Sequence, residues 1–362
     1  MTLTVEKQGR DAASTGPVLE VEGLTVTFRT ESGTVSAVDD VDLTLGRGEI
    51  VGVVGESGCG KSVTAMSLAG LLPRSAAVSG SVRLLGQELV GASAKDLREV
   101  RGQKIAYIFQ EPMTSLNPVL TVGRQIAEVL QTHRKLSKSA ALDRAVELLQ
   151  LVGIPSPRER VKQYPHQLSG GMRQRVMIAM AVAGDPEVLV ADEPTTALDV
   201  TVQAGILTVL RELRDRLGTS ILIITHDLGV IADIADRVVV MYAGRVVERA
   251  GVDELFASPR HHYTSGLLAA APTAGRYAGT HRLQEIPGLV PVLSEQPDAC
   301  TFAERCPAAQ DDCRSKRPPL AALGGAGPQA APAPPPPPPI LNASAHLVAC
   351  WHPHDAARGS DR

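Results

Sequence analysis

The stretch GESGCGKS, Gly55–Ser62, follows the β-rich run VDLTLGRGEIVGVV and leads into SVTAMSLAGLL, which has the apolar spacing of a helix. A strand, a glycine-rich loop and a helix in this order are typical of a phosphate-binding loop, because the backbone N–H groups of such a loop close around phosphate oxygens. An ordinary strand-to-helix turn is the alternative, and the flanking strand and helix argue against it. The sequence therefore predicts a nucleotide-binding loop here.

Individual residues of this loop have distinct predicted tasks. We expect Lys61 to bring positive charge to the β- and γ-phosphates and the Ser62 hydroxyl to ligate Mg²⁺. Cys59 lies inside the loop, so we expect its backbone N–H, and not its thiol, to contact phosphate. The residues predicted to contact the nucleotide are Ser57, Gly58, Cys59, Gly60, Lys61, Ser62 and Val63.

A second nucleotide motif is VLVADEP, in which a buried strand ends in two acidic residues. Asp192 is placed to hold Mg²⁺ through water, and Glu193 is placed to act as the general base that polarises the attacking water. The alternative is a carboxylate pair that caps the next helix, and the presence of a phosphate loop disfavours it.

Two further polar residues follow short apolar runs. Gln110 comes after IAYIF, and His226 comes after ILIIT. The carboxyl ends of neighbouring parallel strands converge on the crevice where ligands bind. We therefore expect Gln110 to reach the Mg²⁺ and the attacking water and His226 to contact the γ-phosphate. Either residue taken alone is better interpreted as a solvated strand end.

A second glycine-rich stretch, LSGGMRQR, occupies Leu168 to Arg175. Ser169 is a suitable N-cap, and MRQRVMIAMAVA continues with helical spacing, so Ser169, Gly170 and Gly171 predict an anion site at a helix N-terminus. Such a site is useful if two subunits pack head to tail, each covering the γ-phosphate of the other. A helix cap with glycines for close packing is the alternative.

Composition and segment order predict an α/β chain with a tail. The chain has 362 residues, 44% of them hydrophobic, and a net charge of −3, which gives no electrostatic footprint for nucleic acid. Strand–helix alternation predicts a parallel sheet. The predicted segments are a disordered leader (1–17), an ATPase domain (18–270) with a helical subdomain at about 110–165, and an irregular, cysteine-containing tail (271–362) with a proline-rich insertion at 328–340.

The predicted location is the cytosol. No apolar run reaches the ~18–20 residues that a membrane-spanning helix needs, and the polar N-terminal segment lacks the apolar core of a secretion signal. We expect the chain itself to stay in the cytosol, and docking on a membrane protein stays open. Four of the five cysteines fall in the last 63 residues, which in a reducing compartment indicates metal or cluster ligation before disulfides.

Taken together, six motifs in order across about 19–270 resemble the nucleotide-binding subunit of ABC transporters. They are GESGCGKS, YIFQEP, LSGGMRQR, VLVADEP, TALD (196–199) and ITHD. The resemblance implies a RecA-like P-loop ATPase core, a β-rich N-terminal part and an inserted helical subdomain. It also implies a sandwich dimer with two composite ATP sites, coupled in part by Asp199, and an adenine stacked on Phe28.

A narrower resemblance extends to the dipeptide/oligopeptide-type import ATPases. It is carried by FQEPMTSLNPVLTVGRQI, HHYTSGLLAAAP (261–272), IPGLVPVL (286–293) and the cysteine-containing tail. It implies a subunit at the cytoplasmic face of the membrane, paired with a second ATPase subunit and two permeases and served by an extracellular binding protein. ATP binding would draw the two ATPase subunits together, and hydrolysis would let them part. The segment Met113 to Pro118 would pass this motion to the permeases.

Other functions stay open at this point. The same machinery could import another solute, such as nickel or glutathione. A soluble ABC ATPase that acts on ribosomes or DNA usually has two ATPase domains or a long coiled-coil insertion, and neither is evident in the sequence. A metal-sensing regulator with a vestigial ATPase is disfavoured because every catalytic residue is present.

The tail cysteines are spaced C-x5-C-x6-C-x36-C, at Cys300, Cys306, Cys313 and Cys350. Structural zinc sites usually have closer pairs, and four thiolates at wide spacing also suit a [4Fe–4S] cluster. The resemblance implies such a cluster, since members of this importer group can carry one in this tail. Zinc and free thiols are the alternatives.

Overall fold

The computed structural model describes residues 16–31, 33–111, 115–196, 198–271, 285–291, 293–322 and 345–354. The proline-rich insertion and most of the predicted leader lie outside these ranges. The chain divides into two compact units. The first comprises Met1–Glu20, Thr44–Glu49 and Arg83–Leu222, and the second comprises Val21–Leu43, Ile50–Val82 and Ile223–Arg362.

The first unit contains a parallel strand pair that carries two of the nucleotide motifs. Strand β6 (Ile105–Ile108) pairs in parallel with β7 (Val188–Asp192), with Ile105 opposite Val188. Every residue of β7 is buried, as expected for a strand covered on both faces. Because both strands run the same way, the residues that follow them, Gln110 and Glu193, lie at the same edge of the sheet.

Helices make up most of the remainder of the first unit. On α3 (Val122–Arg134) the buried residues Val122, Ile126 and Leu130 recur every fourth position, which places them on one face. Among the described helices, none is both long and apolar enough to span a bilayer. The other helices here are α2 (Ala94–Val100), α4 (Lys138–Leu151), α5 (Pro157–Arg160), α6 (Gly170–Val182) and α7 (Val200–Leu217), with a 3₁₀ turn at Pro165–Gln167.

The second unit holds most of an N-terminal sheet and a run of five strands. The N-terminal strands are β1 (Leu19–Thr30), β2 (Gly33–Leu45) and β4 (Ala76–Leu84), in the order β2-β1-β4. The boundary between the units passes through these three strands, and the short β5 (Gln87–Glu88) pairs with the end of β4 in the first unit. The predicted β-rich N-terminal part is therefore present.

Strands of the second unit follow the order β11-β12-β10-β9-β3. Among the described pairings of these five strands, β3 and β9 are parallel, whereas the strands from β9 to β11 pair antiparallel, so the sheet is mixed and includes the predicted parallel part. Their bounds are β3 (Ile50–Val54), β9 (Arg237–Tyr242), β10 (Arg245–Gly251), β11 (Ala321–Ala322) and β12 (Leu347–Val348). Strand β8 (Ser220–Ile224) is divided between the units.

Helices of the second unit include α1, which opens at the phosphate loop, and short helices along the tail. They are α1 (Lys61–Leu68), α8 (Leu228–Ile234), α9 (Val252–Ala257), α10 (His262–Ala270) and α11 (Asp311–Ser315), with a 3₁₀ turn at Ala303–Arg305. The tail was expected to be irregular, but it also returns to the sheet, since Val348 of β12 lies opposite Glu248 of β10.

Candidate functional site

The phosphate loop has the backbone conformation that its glycines permit. Gly55, Gly58 and Gly60 have φ angles of 152°, 82° and 101°. A Cβ on Gly55 would lie 2.2 Å from the carbonyl oxygen of Met241, and one on Gly60 would lie 2.5 Å from that of Ala37. Other residues are therefore excluded at these two positions by backbone contacts as well as by dihedral strain.

Lys61 is the first residue of α1 and is almost fully buried, with 6% of its surface exposed. Its Nζ donates to the carbonyl oxygens of Gly55 (2.7 Å) and Glu56 (2.9 Å). The Cys59 N–H donates to the Glu56 carbonyl (3.3 Å), and the Cys59 side chain is fully buried. The loop thus closes on itself through Glu56, which sequence reasoning did not single out.

The acidic strand end lies in the first unit, where the structure adds a partner that the sequence did not predict. Asp192 is 6% exposed, and its Oδ2 accepts a hydrogen bond from the Tyr107 hydroxyl (2.8 Å). Burial, together with the neighbouring Asp192 carboxylate, raises the pKa of Tyr107. Tyr107 therefore keeps its proton and donates a hydrogen bond to the Asp192 carboxylate.

Glu193 and Gln110 are brought together, as their positions after parallel strands predict. Glu193 Oε2 accepts from Gln110 Nε2 (3.0 Å) and from Thr196 Oγ1 (2.7 Å). Glu193 also has a φ of 47°, a left-handed conformation that is uncommon outside glycine and clusters at functional sites. Its carboxylate is therefore oriented from two sides at a strained backbone position.

Ser169 caps α6, as predicted, and accepts from the Met172 N–H (3.4 Å). A Cβ on Gly171 would lie 2.5 Å from Cγ1 of Val202, whereas Gly170 has no described neighbour within 4 Å of that position. Gly171 is therefore needed for packing, and Gly170 leaves the helix N-terminus open. Asp199 caps α7 through the Val202 N–H (2.9 Å).

The remaining predicted residues have these positions. Phe28 is half-buried on β1, and His226 is exposed directly after Thr225, whose N–H donates to Val53 O (3.2 Å). Ser57 and Gly58 are exposed, while Ser62 and Val63 are half-buried in the first turn of α1. The meeting of Lys61 with Asp192 around one Mg²⁺ involves both units and stays a prediction.

All four tail cysteines line one enclosed cavity of about 10 Å³ in the second unit, and all four are free thiols. The Cys300 N–H donates to the Cys313 carbonyl (2.8 Å), which joins two of the segments. Burial raises the pKa of Cys300, Cys306 and Cys350, the last to about 12. These three thiols therefore keep their protons at neutral pH and are not activated nucleophiles.

Two family models match parts of the chain. A family model described as ABC transporter matches residues 38–196, and one described as the C-terminal region of oligopeptide/dipeptide transporters matches 247–313. A dimeric post-hydrolysis state of an ATP-binding cassette, bound to ADP and Pi, aligns with a TM-score of 0.59 at 27% identity, covering 65% of this chain and 98% of that one.

Curated relatives match over nearly the whole chain. A peptide ABC transporter ATP-binding protein of Sinorhizobium fredii is 49% identical over 93% of this chain and 96% of its own. A peptide import ATP-binding protein of Brucella abortus is 50% identical over 90% and 98%. The oligopeptide transport ATP-binding protein OppD of Bacillus subtilis is 52% identical over 84% and 85%.

The fold and the nucleotide motifs define a P-loop ATPase. The chain belongs to the ABC transporter ATP-binding proteins, in the group that carries the oligopeptide/dipeptide transporter C-terminal region. Both resemblances that the sequence indicated are thereby confirmed.

Proposed function

We propose that this chain is the ATP-hydrolysing subunit of an importer of di- and oligopeptides, bound peripherally at the cytoplasmic face of the membrane. The names of the peptide import relatives and the oligopeptide-type C-terminal region support the solute class. The observation that carries the chemistry is the Glu193 carboxylate, held by Gln110 and Thr196 directly after Asp192.

Each residue has a distinct role in hydrolysis. Lys61 neutralises charge on the β- and γ-phosphates. Ser62, Gln110 and Asp192 would hold Mg²⁺, which when bound would offset the charge that develops during phosphoryl transfer. Glu193 accepts a proton from water as the water oxygen bonds to the γ-phosphorus, and the bond to ADP breaks. His226 donates to the γ-phosphate oxygens.

A second ATPase subunit completes the ATP site. The two subunits are different chains with the same type of ATPase domain, so they form a heterodimer. The open N-terminus of α6 at Ser169 and Gly170 suits a phosphate supplied by that partner's loop, and Asp199 lies at the N-terminus of the neighbouring helix α7. The dimeric cassette bound to ADP and Pi supports this arrangement. Phe28 would stack on the adenine.

The helical region passes the ATP-driven motion of the two ATPase subunits to two permeases. The permeases receive solute from an extracellular binding protein. Gln125 of α3 is 5% exposed and holds the segment before the helix, accepting from the Asn117 N–H (2.9 Å) and donating to Leu120 O (3.0 Å). Val119 in this segment is 75% exposed, so it is available to a membrane subunit. The segment predicted for this contact, Met113 to Pro118, ends one residue before Val119, and its first two residues, Met113 and Thr114, lie outside the described residues.

We expect Val119→Asp to lower ATP-dependent uptake at least about fivefold, because burying an unpaired carboxylate at an interface is unfavourable. ATP binding should stay unchanged. Leu289→Asp is the matched control, since Leu289 is 89% exposed and lies outside the helical region. Radiolabelled peptide uptake measures the effect, and equal uptake by the two variants would contradict the assignment of this contact.

The importer role is tested in cells that lack the chromosomal copy. We expect uptake of labelled di- and oligopeptides to be lost, to return with the wild-type chain, and not to return with Glu193→Gln. Nickel and glutathione uptake are measured in the same cells. A defect in either of those solutes with normal peptide uptake would show that the peptide assignment is wrong, and normal uptake of all three would reject an import role for them.

We further propose that Cys300, Cys306, Cys313 and Cys350 hold a [4Fe–4S] cluster, which would supply a rigid covalent link among tail segments far apart in sequence. Four thiols, one buried and three half-buried, line one cavity and are the donor type that such a cluster needs. Tetrahedral zinc places its sulfurs about 3.8 Å apart. Among the described residues, only Asp312, Cys313 and His352 form a trio of ligand atoms within 4.8 Å of one another, so the four thiols are more widely spaced than zinc requires.

Cluster loading is tested on the full-length chain purified without oxygen. We expect broad visible absorbance with bound iron and sulfide, and a loss of at least about 90% of the iron in Cys313→Ser, since a [4Fe–4S] cluster needs four Cys ligands. His352→Ala is the control, because His352 bonds Asp312 (2.9 Å) and is not a thiol ligand. Bound zinc without visible absorbance, lost in both variants, would instead indicate a small-ion site at the trio.

A further inference from the structure

Arg305 of the tail binds a residue of the phosphate loop. Its Nη1 and Nη2 donate to the two carboxylate oxygens of Glu56, at 2.8 and 3.0 Å. Only 7% of the Arg305 side chain and 29% of the Glu56 side chain are exposed. A two-bond pair that is shielded from water is stronger than an exposed ion pair, and it fixes orientation as well as distance. Arg305 directly precedes Cys306.

The guanidinium of Arg305 is fixed by further contacts within the tail and sheet. Its Nε donates to Pro287 O (2.8 Å), Nη2 also donates to Ile286 O (3.1 Å), and the group lies over the Tyr242 ring at 5.7 Å from its centroid. Hydrogen bonding to Glu56 raises the pKa of Arg305. Arg305 is therefore a fixed cation and not a mobile surface side chain.

Glu56 links this cation to the nucleotide-binding lysine. The Glu56 N–H donates to the Tyr263 hydroxyl (2.8 Å), and the Glu56 carbonyl accepts from Lys61 Nζ (2.9 Å). The side chain and both backbone polar groups of Glu56 are thus engaged at once. A change in the position of Arg305 consequently acts on the loop that presents its N–H groups to phosphate.

Arg305 is tied to two of the tail cysteines through one tight turn. The Ala303 N–H donates to Cys300 O (3.1 Å), and the Cys306 N–H donates to Ala303 O (3.3 Å). The Phe302 ring packs on Tyr242 at 5.1 Å between ring centroids, which anchors the turn to β9. Displacement of Cys300 or Cys306 therefore displaces Arg305 as well.

We propose that Arg305 is a positioning residue for the phosphate loop. Through Arg305, the presence or absence of a cluster on the four tail cysteines sets the affinity of the loop for a nucleoside triphosphate. The proposal rests on the ATP-binding function proposed above. Arg305 orients the loop by its two-bond contact with Glu56 and neutralises a carboxylate that would otherwise repel the triphosphate. The loop is then preorganised, so less of the binding energy is spent on ordering it.

The experiment measures Mg-ATP affinity of the full-length chain with a fluorescent ATP analogue, together with steady-state KM and kcat. We expect Arg305→Ala to weaken affinity about tenfold and to raise KM with kcat within about twofold, because a positioning contact acts on binding. Arg305→Lys should weaken Mg-ATP affinity about threefold, since an ammonium group cannot form the two-bond contact with Glu56. Arg317→Ala is the matched control, because Arg317 pairs with Asp40 and not with the phosphate loop. This variant is expected to leave Mg-ATP affinity unchanged.

Two further variants test the route. Glu56→Gln added to Arg305→Ala should bind more tightly than Arg305→Ala alone, because it removes the unneutralised carboxylate. Cys313→Ser should weaken affinity severalfold in the wild-type background and add no further loss to Arg305→Ala, as expected for contacts that act as one unit.

The proposal is overturned by wild-type affinity in Arg305→Ala, by an equal loss in Arg317→Ala, by no gain in the double variant, or by wild-type affinity in Cys313→Ser. If Arg305→Ala does not fold, the folded Arg305→Lys variant decides, and unchanged affinity there overturns the proposal. Absence of ATP binding by the wild-type chain would instead reject the proposed function itself.

Discussion

ATP turnover by the Glu193→Gln variant is expected to fall at least about a hundredfold, because general base catalysis contributes on the order of 10²–10⁴ in rate. A glutamine has the same shape and can still accept from Gln110 Nε2 and Thr196 Oγ1, which now bond to Glu193 at 3.0 and 2.7 Å. What the variant lacks is the basic carboxylate that receives the proton of the attacking water. Mg-ATP affinity should therefore stay within about threefold of wild type.

Phosphate release and nucleotide binding, measured side by side, separate these effects. Glu187→Gln is the matched control, because Glu187 precedes the same strand and forms an ion pair with Arg47 (3.6 Å), away from the motif. Thr196→Val removes one hydrogen bond to the carboxylate and should lower turnover about tenfold. Wild-type turnover in Glu193→Gln would show that another group is the base, whereas lost ATP binding would show that Glu193 supports binding instead.

Much of the site could be predicted because its signals are local in sequence. The N-cap role of Ser169 follows from one residue type before a helical pattern, and the structure has that cap. The approach of Gln110 to Glu193 follows from the geometry of parallel strand ends, although 83 residues separate them. In both cases a short-range pattern determines where the side chain lies.

Contacts between distant segments could not be predicted in the same way. Arg305 and Glu56 are 249 residues apart, and nothing in either segment indicates the other. The two-residue strand β12 is too short to give a periodic signal, and its pairing with β10 depends on packing of the whole tail. Tyr107 was missed because a tyrosine in an apolar strand has the pattern of a core residue, and only its hydroxyl contact with Asp192 distinguishes it.

The return of the tail to the sheet depends on one buried carboxylate. Glu248 of β10 has no exposed surface and accepts from His346 Nε2 (2.7 Å), directly before β12. It also accepts from the backbone N–H groups of Arg260 (2.6 Å) and His261 (2.9 Å), before α10. His346 contacts a second carboxylate, Glu254, at 3.1 Å through Nδ1. A single side chain thus joins β10, the start of α10 and the tail.

We expect Glu248→Ala to lower the free energy of unfolding by about 3–5 kcal/mol, because it leaves the buried His346 and the N–H groups of Arg260 and His261 without their acceptor. Glu254→Ala is the matched control, since it contacts the same histidine but is half exposed, and should cost less than about 1 kcal/mol. Urea unfolding of the full-length chain, followed by circular dichroism, measures both. Equal losses in the two variants would contradict a special role for Glu248.

The difference between wild type and Glu248→Ala should depend on pH. Burial alone would raise the pKa of Glu248, but hydrogen bonds from His346 and neighbouring groups outweigh it and lower the pKa below 4.5. Burial alone would lower the pKa of His346, but Glu248 and Glu254 outweigh it and raise the pKa above 6.5. His261, whose pKa burial lowers to about 4, stays neutral above that pH.

The Glu248–His346 pair therefore stabilises the fold fully between about pH 4.5 and 6.5. In this range Glu248 is ionised and His346 is protonated in both the folded and the unfolded chain. Its contribution is lost as the pH falls through the lowered folded pKa of Glu248. It is also lost as the pH rises through the raised folded pKa of His346. Unfolding free energies of wild type and Glu248→Ala at pH 5.5 and at pH 9 should differ more at the lower pH, and a larger difference at pH 9 would show that His346 binds Glu248 as a neutral ring.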